Sequence, residues 1–366
     1  MARLRALASS PAAAGWVVSR IVVVAALAFT RFLVDHAGAV AATGQPPVGL
    51  LGWDAAWYVR IVESGYQDLP REALRFFPLF PLVATPLKVF VGARLAVLLV
   101  ANGAALIAAV ALHQLVREET GDRRLADRSA WLLALLPASF VLAMGYSESV
   151  LLLTTIVGFR MLRSGRFGWA ALAGFLAGFS RPVGMLFAIP ATVEAVRGWR
   201  NADRDRTARL LAAVAPIAGA ATYLAWVGVR FGDALRPLTE QQNDYRRGDF
   251  VNPVSRLMRA GGELWRGEDL GAGLHLVAAL VFLGLLVVVA RHFPAAYTLY
   301  AAALLAVATS STNLDSLERY GLSAFPLVIG LAHLARSPAL ERAVFAIAGA
   351  GLFVYASLAF LGVYVP

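Results

Sequence analysis

Asp54 stands between two tryptophans in Trp53-Asp54-Ala55-Ala56-Trp57-Tyr58, at the start of a stretch whose apolar residues recur every three to four positions up to Gly65. An aspartate in that place either caps its own helix or takes a proton from an incoming hydroxyl. The two roles are compatible, because a capping carboxylate is oriented by the helix it caps. A second carboxylate, Glu148, lies in the turn Tyr146-Ser147-Glu148-Ser149. Its serines suit helix capping, but a glutamate so close to apolar runs requires a partner. Arg181, in Ser180-Arg181-Pro182, and Arg319, in Asp315-Ser316-Leu317-Glu318-Arg319-Tyr320, are guanidiniums at the ends of apolar runs. Either suits a phosphate, and each has a plainer account: interfacial snorkelling for Arg181 and pairing with Asp315 for Arg319. Gln241-Gln242-Asn243-Asp244-Tyr245-Arg246-Arg247 gathers groups that suit sugar hydroxyls and phosphate oxygens, and equally suit a solvated loop. The five histidines lack metal-ligand spacing, and no glycine pattern of a nucleotide fold is present, so neither a metal nor a nucleotide is expected.

These residues must be positioned by a chain of 366 residues that is 59% hydrophobic and 15% charged, with mean hydropathy +0.67. That is more apolar side chain than a soluble core of such length hides. Runs of about 20 apolar residues predict about eleven transmembrane helices, near 15–34, 93–116, 129–145, 148–163, 167–180, 183–196, 210–231, 271–290, 294–309, 321–335 and 343–364. Spans from end to end exclude a soluble enzyme with one anchor, and continuous rather than alternating apolarity excludes an outer-membrane barrel. The basic N-terminus followed by an apolar run reads as an uncleaved first span. Net charge is +10, with Lys88 as the one lysine. The arginines collect in loops on one side, and the short turns on the other hold only Arg181 and Arg319. By the positive-inside rule the N-terminus is cytoplasmic and the polar chemistry faces outward in the cell membrane, so the charge does not point to nucleic acid. Arg20, inside the first span, is expected to snorkel. Residues 167–196 are expected to form a hairpin, since one kinked helix would carry the arginine-rich loop 197–209 outside. Two long outer segments, 35–92 and 232–270, remain. The first holds a short amphipathic helix and the elbow Phe76-Phe77-Pro78-Leu79-Phe80-Pro81. No cysteine, repeat or long linker is present, which predicts one domain over 1–366.

The ordered pieces Trp53-Asp54 with Tyr58 and Gly65-Tyr66, Phe77-Pro78-Leu79 with Pro81, and Pro137-Ala138-Ser139 before Tyr146-Ser147-Glu148-Ser149 resemble the PIG-V-like mannosyltransferases. Arg181 with Gly184, the Gln242, Tyr245 and Arg247 spacing, and Arg319-Tyr320 with Phe325-Pro326 continue the resemblance, which covers about 50–330. Tyr245 stands where the family pattern has tryptophan. This is the family of GPI mannosyltransferase 2, within the polytopic GT-C glycosyltransferases. The resemblance implies an all-α, GT-C-like membrane bundle. It also implies transfer of mannose, with inversion and without cofactor, from polyprenyl-phosphate mannose to a lipid-linked or cell-envelope glycan acceptor at the outer face. On it, Asp54 is the catalytic base, while Trp53, Tyr58, Tyr146, Glu148, Arg181, Gln242, Tyr245, Arg247 and Arg319 are candidates for substrate or phosphate binding. The arginine and alanine bias fits a bacterial member, for which a GPI acceptor is not expected. A lipid or sugar transporter or flippase, or a GT-C enzyme using another sugar, is the alternative. A transporter calls for polar sites midway along spans, and these are nearly absent.

Overall fold

The computed structural model describes residues 10–37, 48–197, 199, 205–243, 246–267 and 270–364. Tyr245 and the basic N-terminal stretch lie outside the described residues. Among those described, the chain is helical, with one isolated antiparallel bridge between Phe250 and Ser311. In chain order the helices are α1 Pro11–Ala37, α2 Asp54–Ser64, α3 Leu79–Thr120, α4 Arg123–Leu135, α5 Glu148–Arg163, α6 Phe167–Ser180, α7 Ala188–Arg197 and α8 Arg206–Phe231. They continue with α9 Arg236–Thr239, α10 Pro253–Arg266, α11 Leu270–His292, α12 Ala295–Thr309, α13 Leu317–Ser323, α14 Phe325–Leu334 and α15 Pro338–Phe360.

Among the described residues, five helices are long and apolar enough to cross a membrane unaided: Pro11–His36, Leu79–Thr120, Arg206–Phe231, His275–His292 and Pro338–Phe360. The chain is thus a multi-pass membrane protein, but several of the eleven expected spans are not single helices. Proline marks these places. Pro137 lacks a backbone donor and Leu136 before it is extended, so the expected span at 129–145 breaks into α4 and a 3-10 turn. Pro182, after the extended Arg181, opens a 3-10 turn ahead of α7 in the span expected at 183–196, and the span expected at 321–335 breaks at Ala324, just before the first turn of α14 that holds Pro326. Such short pieces need the surrounding bundle to satisfy their ends. Gly92, at φ 76° and ψ 159°, kinks α3 where the second span was expected to begin; only glycine takes that conformation freely.

The segment 167–197 is a hairpin, as expected. A Cβ on Gly184 would lie 1.9 Å from the carbonyl oxygen of Ala177, and Phe187 packs against Gly174, so the chain doubles back at Arg181-Pro182. Its far end returns beside α5, where Arg163 pairs with Glu194 and Glu119, each at 2.8 Å. Helices α6 and α8 touch backbone to backbone, because a Cβ on Gly178 would sit 1.9 Å from Pro216 O and one on Gly219 would sit 2.0 Å from Phe175 O. Gly178→Ala is therefore expected to lower the unfolding midpoint in detergent, by overpacking at about 1–3 kcal/mol or more; an unchanged midpoint would refute this contact.

Arg20 does not snorkel. Its Nε donates to Asn102 Oδ1 at 2.9 Å, its Nη2 donates to Leu142 O at 2.7 Å, and it lies over the Trp16 ring, so it ties α1 to α3 and to the turn after α4. Burial favours these fixed acceptors over a path to the interface.

Candidate active site

The site is built at one end of the bundle from α2, the turns before α5 and after α6, residues 241–242 and 246–248, and α13. Helix α2 buries Ala55, Tyr58, Ile61 and Val62 against the start of α3, with the Tyr58 ring edge-on to Phe76 and Phe80 at 5.0 and 4.7 Å. Trp53 precedes it at φ 55°, a strained value for a side-chain-bearing residue, and is pinned there because its Nε1–H donates to Ala359 O at 3.0 Å. The elbow at 76–81 packs onto the bundle as expected: Phe76, Phe77 and Phe80 are buried, the Tyr66 hydroxyl donates to Phe76 O, and residues 79–81 already form the first turn of α3.

Asp54 is not an N-cap. Trp53 occupies that place, Asp54 is the first helical residue, and its backbone N–H donates to the Tyr146 hydroxyl at 3.3 Å. The carboxylate turns outward instead, with Oδ1 at 3.3 Å from Arg75 Nη2 and Oδ2 at 3.1 Å from Arg319 Nη1. The same Arg319 nitrogen lies 3.0 Å from Glu148 Oε1, and that oxygen accepts from Arg181 at 2.6 Å. One guanidinium therefore bridges two carboxylates, and one of these carboxylates holds a second guanidinium. Glu148 is 1% exposed and sits behind the cavity wall, where it serves as the counter-ion that its sequence context demanded. Ser147 does not cap α5; its Oγ accepts from the Tyr58 hydroxyl at 2.7 Å and from Arg181 at 3.1 Å. Tyr146 lies under the Arg319 guanidinium.

Arg319 does not pair with Asp315. Ser316 adopts a left-handed conformation at φ 69°, which sends Asp315 toward His275, at 3.7 Å. On α13 the neighbouring Glu318 points away from the site and is held by His275 at 2.9 Å and by the Tyr364 hydroxyl at 2.8 Å. That anchorage directs Arg319 to the opposite side, where Ser316 Oγ accepts from its Nη2 at 2.6 Å.

These groups border a cavity of about 820 Å³. Trp53, Asp54, Tyr58, Tyr146, Arg181, Gln242, Arg247 and Arg319 all line it, so the structure brings together every described candidate except the buried Glu148. Gln241, Gln242, Arg246, Arg247 and Gly248, from a stretch equally readable as a solvated loop, form part of the wall. Arg247 donates to the Tyr320 hydroxyl and to the carbonyls of Val307 and Ala308 at the negative end of α12. Sequence reasoning missed Arg75, which lines the cavity, touches Asp54 and lies over the Phe76 ring. Its one local signal is its place directly before the Phe-Phe-Pro elbow.

Arg246 is occupied by Glu72 and Glu240, and Asp315 faces His275. That leaves Arg75, Arg181, Arg247 and Arg319 against Asp54 and Glu148, four minus two, a surplus of two positive charges. Burial alone would raise the pKa of Asp54, but Arg75, Arg319 and Arg181 outweigh it and hold the carboxyl below the usual aspartate value. For Arg319 and Arg181 burial opposes the charged form, and Glu148 overrides it and raises both. Because the folded pKa of Asp54 is depressed, its contribution to stability is complete above the ordinary aspartate pKa and is lost as pH falls through the folded value. Arg75→Ala is expected to raise the pKa of Asp54, seen as a higher pH midpoint for the loss of its carboxylate band in an isotope-edited infrared titration. No shift would mean that Arg75 does not set the charge of this carboxylate.

Residues 37–222 match the family described as Mannosyltransferase (PIG-V). GPI alpha-1,6-mannosyltransferase 2 of Rattus norvegicus is 35% identical over 156 residues, which is 40% of this chain and 29% of that protein. The Mus musculus protein is 34% identical over the same length. The chain spans less than a third of the length of the curated relatives it matches. In fold it is similar to ArnT from Cupriavidus metallidurans bound to undecaprenyl phosphate, with a TM-score of 0.56 at 16% identity over 95% of this chain and 77% of that one. The apo form of that protein gives a TM-score of 0.53 at 18% identity. This likeness bears out the expected all-α, GT-C-like architecture. With the family's pattern over 37–222, more than half of its length, the chain belongs to the PIG-V mannosyltransferase family.

Proposed function

We propose that the chain transfers mannose from a polyprenyl-phosphate-linked donor to a lipid-linked or cell-envelope glycan acceptor at the outer face of the membrane. One observation carries this reading: an ionised carboxylate and a surplus of guanidiniums share the wall of one cavity. The family membership supports the sugar, and the undecaprenyl phosphate bound to the ArnT of similar fold supports a lipid phosphate. The outer placement rests on the arginine distribution.

In this reading the donor phosphate lies against Arg181, Arg247 and Arg319. Asp54 accepts the proton of the acceptor hydroxyl as that oxygen bonds to the anomeric carbon. The bond from that carbon to the phosphate oxygen breaks, and its electron pair leaves with the phosphate. The donor is a phosphodiester with one negative charge, while the departing monoester carries about −1.5 to −2 at pH 7. A surplus of two positive charges thus favours the product side of the charge development, where electrostatic catalysis acts. The depressed pKa of Asp54 makes it a weak base in the empty site. A phosphate that draws Arg319 and Arg181 toward itself lifts that restraint, so donor binding strengthens the base.

The test is transfer from labelled polyprenyl-phosphate mannose in proteoliposomes supplied with extracted envelope lipids. Label is expected in an acceptor lipid or glycan, with no transfer from a nucleotide-linked mannose. Transfer from the nucleotide donor alone would overturn the lipid-phosphate donor, and no transfer with any acceptor would overturn the proposal and favour the transporter reading.

A further inference from the structure

We propose that α10 is the track along which the polyprenyl tail of the donor leaves the cavity; this rests on the lipid-phosphate reading above. The cavity wall is polar around Asp54 and the guanidiniums, but Leu238, Phe250 and Val307 give it an apolar lip. Phe250 is 80% exposed although it stands at the cavity edge. It is also fixed in place. Its bridge to Ser311, the Val251 N–H to Ser310 O bond and the Thr312 N–H to Asp249 O bond stitch this segment to the loop that leads into Arg319.

Helix α10 begins directly after this lip, with Asn252 accepting from the N–H groups of Val254 and Ser255. Arg256 is buried and donates to Thr312 O at 2.6 Å and to Glu263 at 3.1 Å, so the helix is held by the loop that holds the lip. Ala260 and Leu257 pack inward. On the other face Val254, Met258 and Trp265 are 66%, 74% and 92% exposed. Their spacing of four and seven residues places them in one row, about 16 Å long at 1.5 Å per residue, and the row begins four residues after Phe250. An apolar row of this kind calls for a cover. Because it starts at the cavity lip, the cover that fits is an apolar chain whose charged head is inside, and a polyprenyl phosphate has that chemistry.

The test compares the parent with a Val254→Glu, Met258→Glu double variant, using mannosyl phosphates on a long polyprenyl chain and on a chain of two isoprene units. For the long-chain donor KM is expected to rise about tenfold from the lost apolar cover, with kcat and the short-chain KM unchanged. An unchanged long-chain KM would overturn the proposal, and so would an equal rise for both donors, which would mean a deformed cavity. In a second measurement, a polyprenyl monophosphate with a photoreactive group on its first isoprene units is irradiated with the parent protein and the labelled peptides are mapped. Label within 254–265 supports the track, and label confined to other helices overturns it. This readout needs no turnover, so a parent that fails to transfer mannose yet labels α10 would refute the sugar reaction and leave the lipid-phosphate track standing.

Discussion

Asp54→Asn is expected to reduce sugar transfer by about 10²–10⁴-fold, the usual contribution of a positioned general base, while the protein stays folded. The amide has the same shape, keeps its place as the first residue of α2, and still offers one oxygen to Arg319. What it loses is the ability to take a proton. The change also removes one of two carboxylates from a site that already carries surplus positive charge, so the unfolding midpoint is expected to fall modestly. Donor binding, read with polyprenyl phosphate as a competitor, is expected to persist, because the guanidiniums are intact. Full turnover in this variant would remove Asp54 from the proton transfer.

Arg319→Ala has the largest expected effect on the fold itself. Arg319 joins Asp54 to Glu148 through one nitrogen and is largely buried in the cavity wall, in front of Glu148. Its removal leaves a void beside both carboxylates, Asp54 with Arg75 alone and Glu148 with Arg181 alone, and breaking a buried pair on one side costs up to about 3–5 kcal/mol. Thermal unfolding in detergent is expected to show this loss, and Arg319→Lys is expected to recover only part of it, since an ammonium lacks the planar fork that reaches Asp54, Glu148 and Ser316 together. Arg181→Ala provides the contrast. Glu148 keeps Arg319 in that variant, so stability is expected to fall less and donor affinity more. Equal stability of Arg319→Ala and the parent would contradict the bridging role.

Residue type and local spacing singled out Asp54, Glu148, Arg181 and Arg319 because charges beside apolar runs are few. Their partners were not legible, since these lie far along the chain. Asp54 meets Arg75 and Arg319, 21 and 265 residues away, and those guanidiniums draw its carboxylate away from the local cap that sequence rules favour. The local guess that Arg319 pairs with Asp315 failed on one backbone angle, the left-handed Ser316, which no residue type there demands. Arg75 carried no signal strong enough to separate it from other arginines of its segment. Hydrophobicity located the membrane helices, and the hairpin at 167–197 followed from charge asymmetry. Three of the eleven expected spans, at 129–145, 183–196 and 321–335, are not single helices, because composition alone reads a run interrupted at Pro137, Pro182 or Ala324 as continuous.

The stereochemical course of the reaction tests the central claim most directly. Direct attack on the anomeric carbon by an acceptor oxygen that passes its proton to Asp54, with the lipid phosphate leaving from the opposite side, yields a product of inverted anomeric configuration. Nuclear magnetic resonance of the first product formed from a donor of defined anomer, in proteoliposomes of the purified protein, is expected to show that inversion. Retention of configuration would rule out a single displacement from the face opposite the phosphate and would contradict Asp54 acting as its base.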